Sequence, residues 1–158
     1  MRKAMWLLAS SVVAVAGFAS VAMTEPMGHK MLTPHEVKWA PGPASLPAGA
    51  EAAILYGDPS AEGLFAMRLK LPKGFRIAPH THPKPEIVTV ISGTFRLGTG
   101  DKVDDSKAAA FGAGSFIALA PGMVHYASAD DDTVVQLNST GPWAVNYVNP
   151  KDDPRLTK

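Results

Sequence analysis

The stretch GFRIAPHTHPKPEIVTVISG, Gly74 to Gly93, decides how the rest of the chain is read. It sets His80 and His82 two residues apart and Glu86 four residues further on. Side chains at even separations share a face of a β-strand, so His80 and His82 point the same way. Glu86 keeps that parity if Pro83-Lys84-Pro85 is a local bend rather than a reversal. Two imidazoles and a carboxylate on one face supply three donors of a transition-metal site. Glycines punctuate both ends, where the chain must turn. A second stretch, GSFIALAPGMVH from Gly114 to His125, could bring the fourth donor through His125.

These two stretches resemble the two motifs of the cupin superfamily. The first, G-x5-H-x-H-x3-E-x6-G, is met at every fixed position by Gly74, His80, His82, Glu86 and Gly93. The second, G-x5-P-x-G-x2-H-x3-N, is met by Gly114, Gly122 and His125, with Ala120 in place of the proline and Ala129 in place of the asparagine. Pro121 still forms a Pro-Gly turn with Gly122, and the asparagine is not a metal ligand in the family. The resemblance implies an all-β fold, the cupin double-stranded β-helix or jelly-roll barrel of two packed antiparallel sheets. It also implies one divalent transition metal on His80, His82, Glu86 and His125.

Outward from the motifs, the chain reads as strands and turns. Ala52 to Tyr56 is a short strand, and Leu64 to Leu71 alternates so that Phe65, Met67, Leu69 and Leu71 share one face. Ile87 to Ile91 is apolar on both faces, which predicts a strand covered on both sides. Thr94 to Leu97 is expected to return from it as a hairpin, and residues 98–114 as a loop. Ser115 to Leu119 and Val124 to Ser128 are expected to pair around Pro121-Gly122. Thr133 to Ser139 and Trp143 to Val148 complete the set. The barrel is assigned to residues 51–150, a polar tail to 151–158, and an extended lead-in to 23–50 with a possible edge strand at Val37 to Trp39.

The N-terminus predicts export. Arg2 and Lys3 precede an apolar run from Trp6 to Met23, and Ser20-Val21-Ala22 supplies small residues for processing, so residues 1–22 have the pattern of a signal peptide. A periplasmic or secreted protein follows, with no stable membrane insertion after cleavage; a retained anchor is the alternative. Removing Arg2 and Lys3 from the 15 basic residues leaves 13 against 14 acidic ones, a net charge of −1. No basic stripe with interleaved aromatics marks a nucleic-acid partner. The chain has no cysteine, which excludes disulfides, thiolate ligands and a cysteine nucleophile. Met23, Met27, His29 and Met31 could bind copper, but read better as part of a tether.

Three neutral imidazoles and one carboxylate suit iron, manganese, nickel, copper or zinc, and the sequence does not choose among them. On an octahedral ion two positions stay open for water, a bidentate substrate, or substrate with dioxygen. Two functions follow: a metal-dependent oxygenase or decarboxylase-type enzyme on a small oxygenated molecule, or a metal- or ligand-binding sensor module. Phe75, Tyr126, Gln136, Asn138, Trp143 and Tyr147 are candidate pocket residues, and Arg76 and Lys84 candidate anchors for an anionic ligand. The two-sided apolar strand and the possible edge strand predict a homodimer.

Overall fold

The computed structural model describes residues 28–156, so the signal-peptide reading and the methionines before residue 28 lie outside the described residues. The strands are β1 (Ala40–Pro41), β2 (Glu51–Tyr56), β3 (Gly63–Leu71), β4 (Arg76–Thr81), β5 (Glu86–Ser92), β6 (Thr94–Thr99), β7 (Ala109–Gly112), β8 (Phe116–Leu119), β9 (His125–Ala129), β10 (Thr133–Gly141) and β11 (Asn146–Tyr147). They form a six-stranded sheet in the order β1-β2-β3-β10-β5-β8 and a five-stranded sheet in the order β11-β4-β9-β6-β7. All pairings are antiparallel. Among the described residues no helix is long and apolar enough to cross a membrane.

The inner faces follow the alternation of the sequence. Phe65, Met67, Leu69 and Leu71 of β3 are buried, as are Val88 and Val90 of β5 and Val135 and Leu137 of β10. Across from them the five-stranded sheet supplies Ile77, Phe95, Leu97, Ala127 and Ala129 to the same core. The larger of these side chains, the alanines aside, contribute roughly 1.5–3 kcal/mol each on burial.

The connections differ from expectation in a way that builds the site. Neither expected hairpin forms: β5 lies in the six-stranded sheet and β6 in the five-stranded one, and the same split separates β8 from β9. Tight turns at Gly93 and at Pro121-Gly122 therefore carry the chain across the sandwich. At Gly93 the backbone has φ +78°, and the Asp132 carbonyl and Thr133 crowd the position where a Cβ would stand. Asp131 fastens this corner by accepting the Thr94 N–H at 2.6 Å.

Three further readings are corrected. Residues 98–114 are not all loop, because β6 runs to Thr99 and β7 pairs with it at the sheet edge. The edge strand forms at β1 rather than at Val37 to Trp39; Val37 is instead buried and Lys70 Nζ lies 4.1 Å from the Trp39 ring centroid. Ile87 and Ile91 are 36% and 41% exposed, so β5 is covered on one side only within the chain.

Candidate metal centre

Both sheets deliver donors to one point. His80 lies on β4 directly opposite His125 on β9, and their ring centroids are 4.2 Å apart. The β4/β9 register shifts between Ile77 and His80, so Ile77, Pro79, His80 and His82 are all buried and simple alternation is broken. His82 sits one residue beyond β4. Glu86 does not continue the parity of the histidines: Pro83-Lys84-Pro85 carries the chain into the other sheet, and Glu86 opens β5 there facing inward. The four side chains are buried, between 2% and 7% exposed.

Backbone carbonyls fix the imidazoles. His80 Nδ1 lies 2.7 Å from the Ala78 carbonyl, His82 Nδ1 2.8 Å from that of Ala144, and His125 Nδ1 3.0 Å from that of Met123. A carbonyl only accepts, so each Nδ1 carries the proton and each neutral ring presents a bare Nε2. One nitrogen from each of the three rings lies within 4.8 Å of the others. Glu86 completes the set, with Oε1 3.3 Å from His82 Nε2 and Oε2 3.3 Å from His125 Nε2. His82 Nε2 is buried with no hydrogen-bond partner, despite its proximity to the carboxylate. Lone pairs on nitrogen and oxygen facing one another at that distance call for a cation between them. The donor set fits a divalent transition metal.

The local electrostatics couple the four groups. Burial works to raise the Glu86 carboxyl, but the contacts of His125 and His82 outweigh it and hold the group down at about 2. Burial, reinforced by neighbouring His125, pushes His80 down to about 3, which keeps its lone pair free at neutral pH. Burial also pulls on His82, but the Glu86 contact wins and the net direction is upward.

The remaining candidates separate cleanly. Trp143 stacks on His82, with centroids 5.0 Å apart and an interplanar angle of 18°. Tyr147 pairs with His80 through β11, its ring 5.9 Å from the imidazole and its hydroxyl donating to the Ser45 carbonyl. Phe75 belongs to the core, and Tyr126 is buried with its hydroxyl donating to the Asp104 carbonyl. Gln136 and Asn138 lie on the outer parity of β10, where Arg68 Nε donates to Gln136 Oε1 at 3.2 Å. Arg76 is committed to Asp105 at 2.9 Å. His29 and His35 are exposed and apart from the centre. The contribution of Ala144, a backbone carbonyl holding a metal-site histidine, carries no side-chain signal in the sequence.

A family described as a domain of unknown function, DUF4437, matches residues 29–146, most of the chain. The chain belongs to that family. Its fold is the cupin jelly roll, shared with solved structures of low sequence identity. The polyketide cyclase RemF from Streptomyces resistomycificus matches with a TM-score of 0.62 at 18% identity, over 81% of this chain and 91% of that one. An acetylacetone dioxygenase-like protein from Methylibium petroleiphilum matches with a TM-score of 0.61 at 17% identity, over 84% and 89%. KdgF from a Halomonas species matches with a TM-score of 0.56 at 19% identity, over 72% and 94%. No curated protein matches the sequence significantly. At these identities the likeness concerns the cupin fold; the centre rests on the cupin's own geometry.

Proposed function

We propose that this cupin is an exported protein that acts on a small oxygenated molecule at a divalent ion held by His80, His82, Glu86 and His125. The observation that carries the reading is the fixed tautomer of three convergent imidazoles beside a carboxylate kept ionised. A bound divalent ion supplies Lewis acidity and lowers the pKa of a coordinated water. The chain's own residues orient that chemistry: Ala78, Ala144 and Met123 hold the rings by their edges, and Glu86 offsets two charges of the ion by one. The deep burial of the donors favours a second reading, a binding or sensor module without turnover. Elemental analysis of protein purified from its own compartment, followed by oxygen-uptake screening with the metal found, separates the two. Metal without uptake or any product from small carbonyl and carboxylate compounds leaves the binding module.

Export has a direct check, motivated by the basic start and apolar run. The mature chain is expected to begin near Met23, and intact mass of the exported protein reads it. A mass that retains Trp6 supports an anchor instead.

Association as a homodimer is the proposed use of the outer face of the six-stranded sheet. Leu64 and Phe116 are each 66% exposed there, beside Ile87 and Ile91. Between them lie the uncharged Thr89, Gln136 and Asn138 in register. Strands about 4.8 Å apart and roughly seven residues long give on the order of 500 Å² before side-chain relief is added, compared with roughly 800 Å² per partner in a standard interface. Arg68 of β3 borders this patch through Gln136, and a second copy is the partner that meets its apolar and uncharged centre with its own likeness. Ile87→Lys is expected to shift sedimentation toward the monomer with metal content unchanged, because Ile87 and Glu86 point to opposite faces. A parent that stays monomeric as concentration rises through the micromolar range removes the proposal.

A further inference from the structure

A cavity of about 540 Å³ opens beside the β1–β2 edge of the six-stranded sheet. Pro41, Pro43, Ala52, Ile54, Met67 and Trp143 line it, and its two charges, Lys38 and Asp58, are exposed and opposite in sign. Ile54 stands in register with Met67, a core residue only 3% exposed, yet is itself 55% exposed. The cavity is thus a continuation of the hydrophobic interior that no described part of the chain covers. Its volume is that of a small-molecule site.

One of its walls is also a wall of the metal centre. The indole of Trp143 lines the cavity and stacks on His82. The backbone of this segment is anchored, since the Trp143 N–H donates to the Pro59 carbonyl at 2.7 Å and the Ala144 carbonyl accepts from His82. The ring is not: its Nε1 is buried without a hydrogen-bond partner, so stacking and packing alone hold it. A buried donor left unpaired disfavours the ring's present position relative to one in which it is satisfied. We propose that this cavity binds an uncharged, largely apolar small molecule, one ring or a short chain in size, against Trp143, one aromatic ring away from His82. The proposal rests on the metal-site reading for what the molecule meets, not for the binding itself.

The test uses the full chain, ¹⁵N-labelled, with acetophenone and cyclohexanone as neutral probes and benzoate as the charged one. The indole signal missing from Trp143→Phe identifies Trp143. Each neutral probe is expected to shift that signal saturably, and benzoate to bind at least about tenfold more weakly, because its charge loses hydration against an apolar wall. Ile54→Arg, at an exposed position, is expected to weaken the neutral probes by about tenfold or more for the same reason. Ala40→Trp, which fills the cavity from the edge strand, gives the same loss if Ile54→Arg does not fold. No saturable shift with either neutral probe overturns the proposal, as does undiminished binding in the folded variant or equal binding of benzoate. Metal analysis of the same samples keeps the two readings apart: no probe binding by the parent with metal retained sinks the cavity alone. Probe binding without metal sinks the metal centre and leaves the cavity.

Discussion

His80→Ala with His125→Ala is expected to take metal content from one ion per chain to none. The two histidines are the cross-strand pair at the heart of the centre, each with its Nδ1 committed to a carbonyl and its Nε2 turned inward. Their removal leaves His82 and Glu86, two donors where a structural or catalytic transition-metal site uses at least three. Stability should follow occupancy. An ion present at about 100 times its dissociation constant stabilises the folded parent by roughly 2.7 kcal/mol through mass action, and adds nothing to the variant. Thermal unfolding with and without added metal reads the difference, and elemental analysis reads the loss directly. His29→Ala with His35→Ala, both exposed and outside the cluster of donors, is the control that keeps its metal. Equal metal in parent and cross-strand variant would sink the assignment of the centre.

Gly93→Ala carries the second large effect, on the fold rather than the ion. An alanine at φ +78° enters the left-handed region at about 1–2 kcal/mol. Its Cβ would also stand 2.6 Å from the Asp132 carbonyl oxygen and 2.7 Å from Thr133 Cα, backbone atoms that cannot swing aside. Overpacking of this kind costs typically 1–3 kcal/mol. The sum is roughly 2–5 kcal/mol, a large share of the 5–15 kcal/mol that holds a typical domain folded, and lowers Tm by about 8–20 °C. Gly74→Ala is the matched comparison: φ is +79° but nothing stands within 4 Å of the added Cβ, so only the conformational part is lost. Equal melting temperatures for the two variants would show that the Gly93 corner yields, and that the close approach of Asp132 is not a constraint.

The donors were legible because metal chemistry restricts residue types as well as spacing. His80 and His82 share a side as period two requires, although His82 lies past the strand end and the register shift moves both relative to Ile77. Glu86 reached the site by another route than parity, since the prolines before it redirect the chain into the opposite sheet. The same ambiguity produced the two hairpins that do not exist: a glycine turn looks alike in sequence whether the next strand pairs back or crosses over. β7 was missed because Ala109-Ala110-Phe111-Gly112 has no β-branched residue, and only pairing with β6 makes it a strand. Apolar outward residues on β5 read as buried because sequence shows hydrophobicity and not what covers it. Trp143 was legible as a candidate wall, but its stacking on His82 depends on a contact across 61 positions that no local pattern encodes.

The division of the donors between the sheets bears on how the molecule comes apart. His80 and His125 belong to one layer, Glu86 to the other, and His82 to the crossing between them. An ion bound by all four is therefore a rivet through the sandwich, in a chain that has no cysteine to form a covalent one. It ties together residues distant in sequence in the folded state, and its binding free energy is lost when they separate. With the rivet in place, β4, β5 and β9 must open as one cooperative unit, and their amides should exchange with solvent together. After chelation the layers are free to part locally at this end, so their exchange rates should diverge well before the whole domain melts.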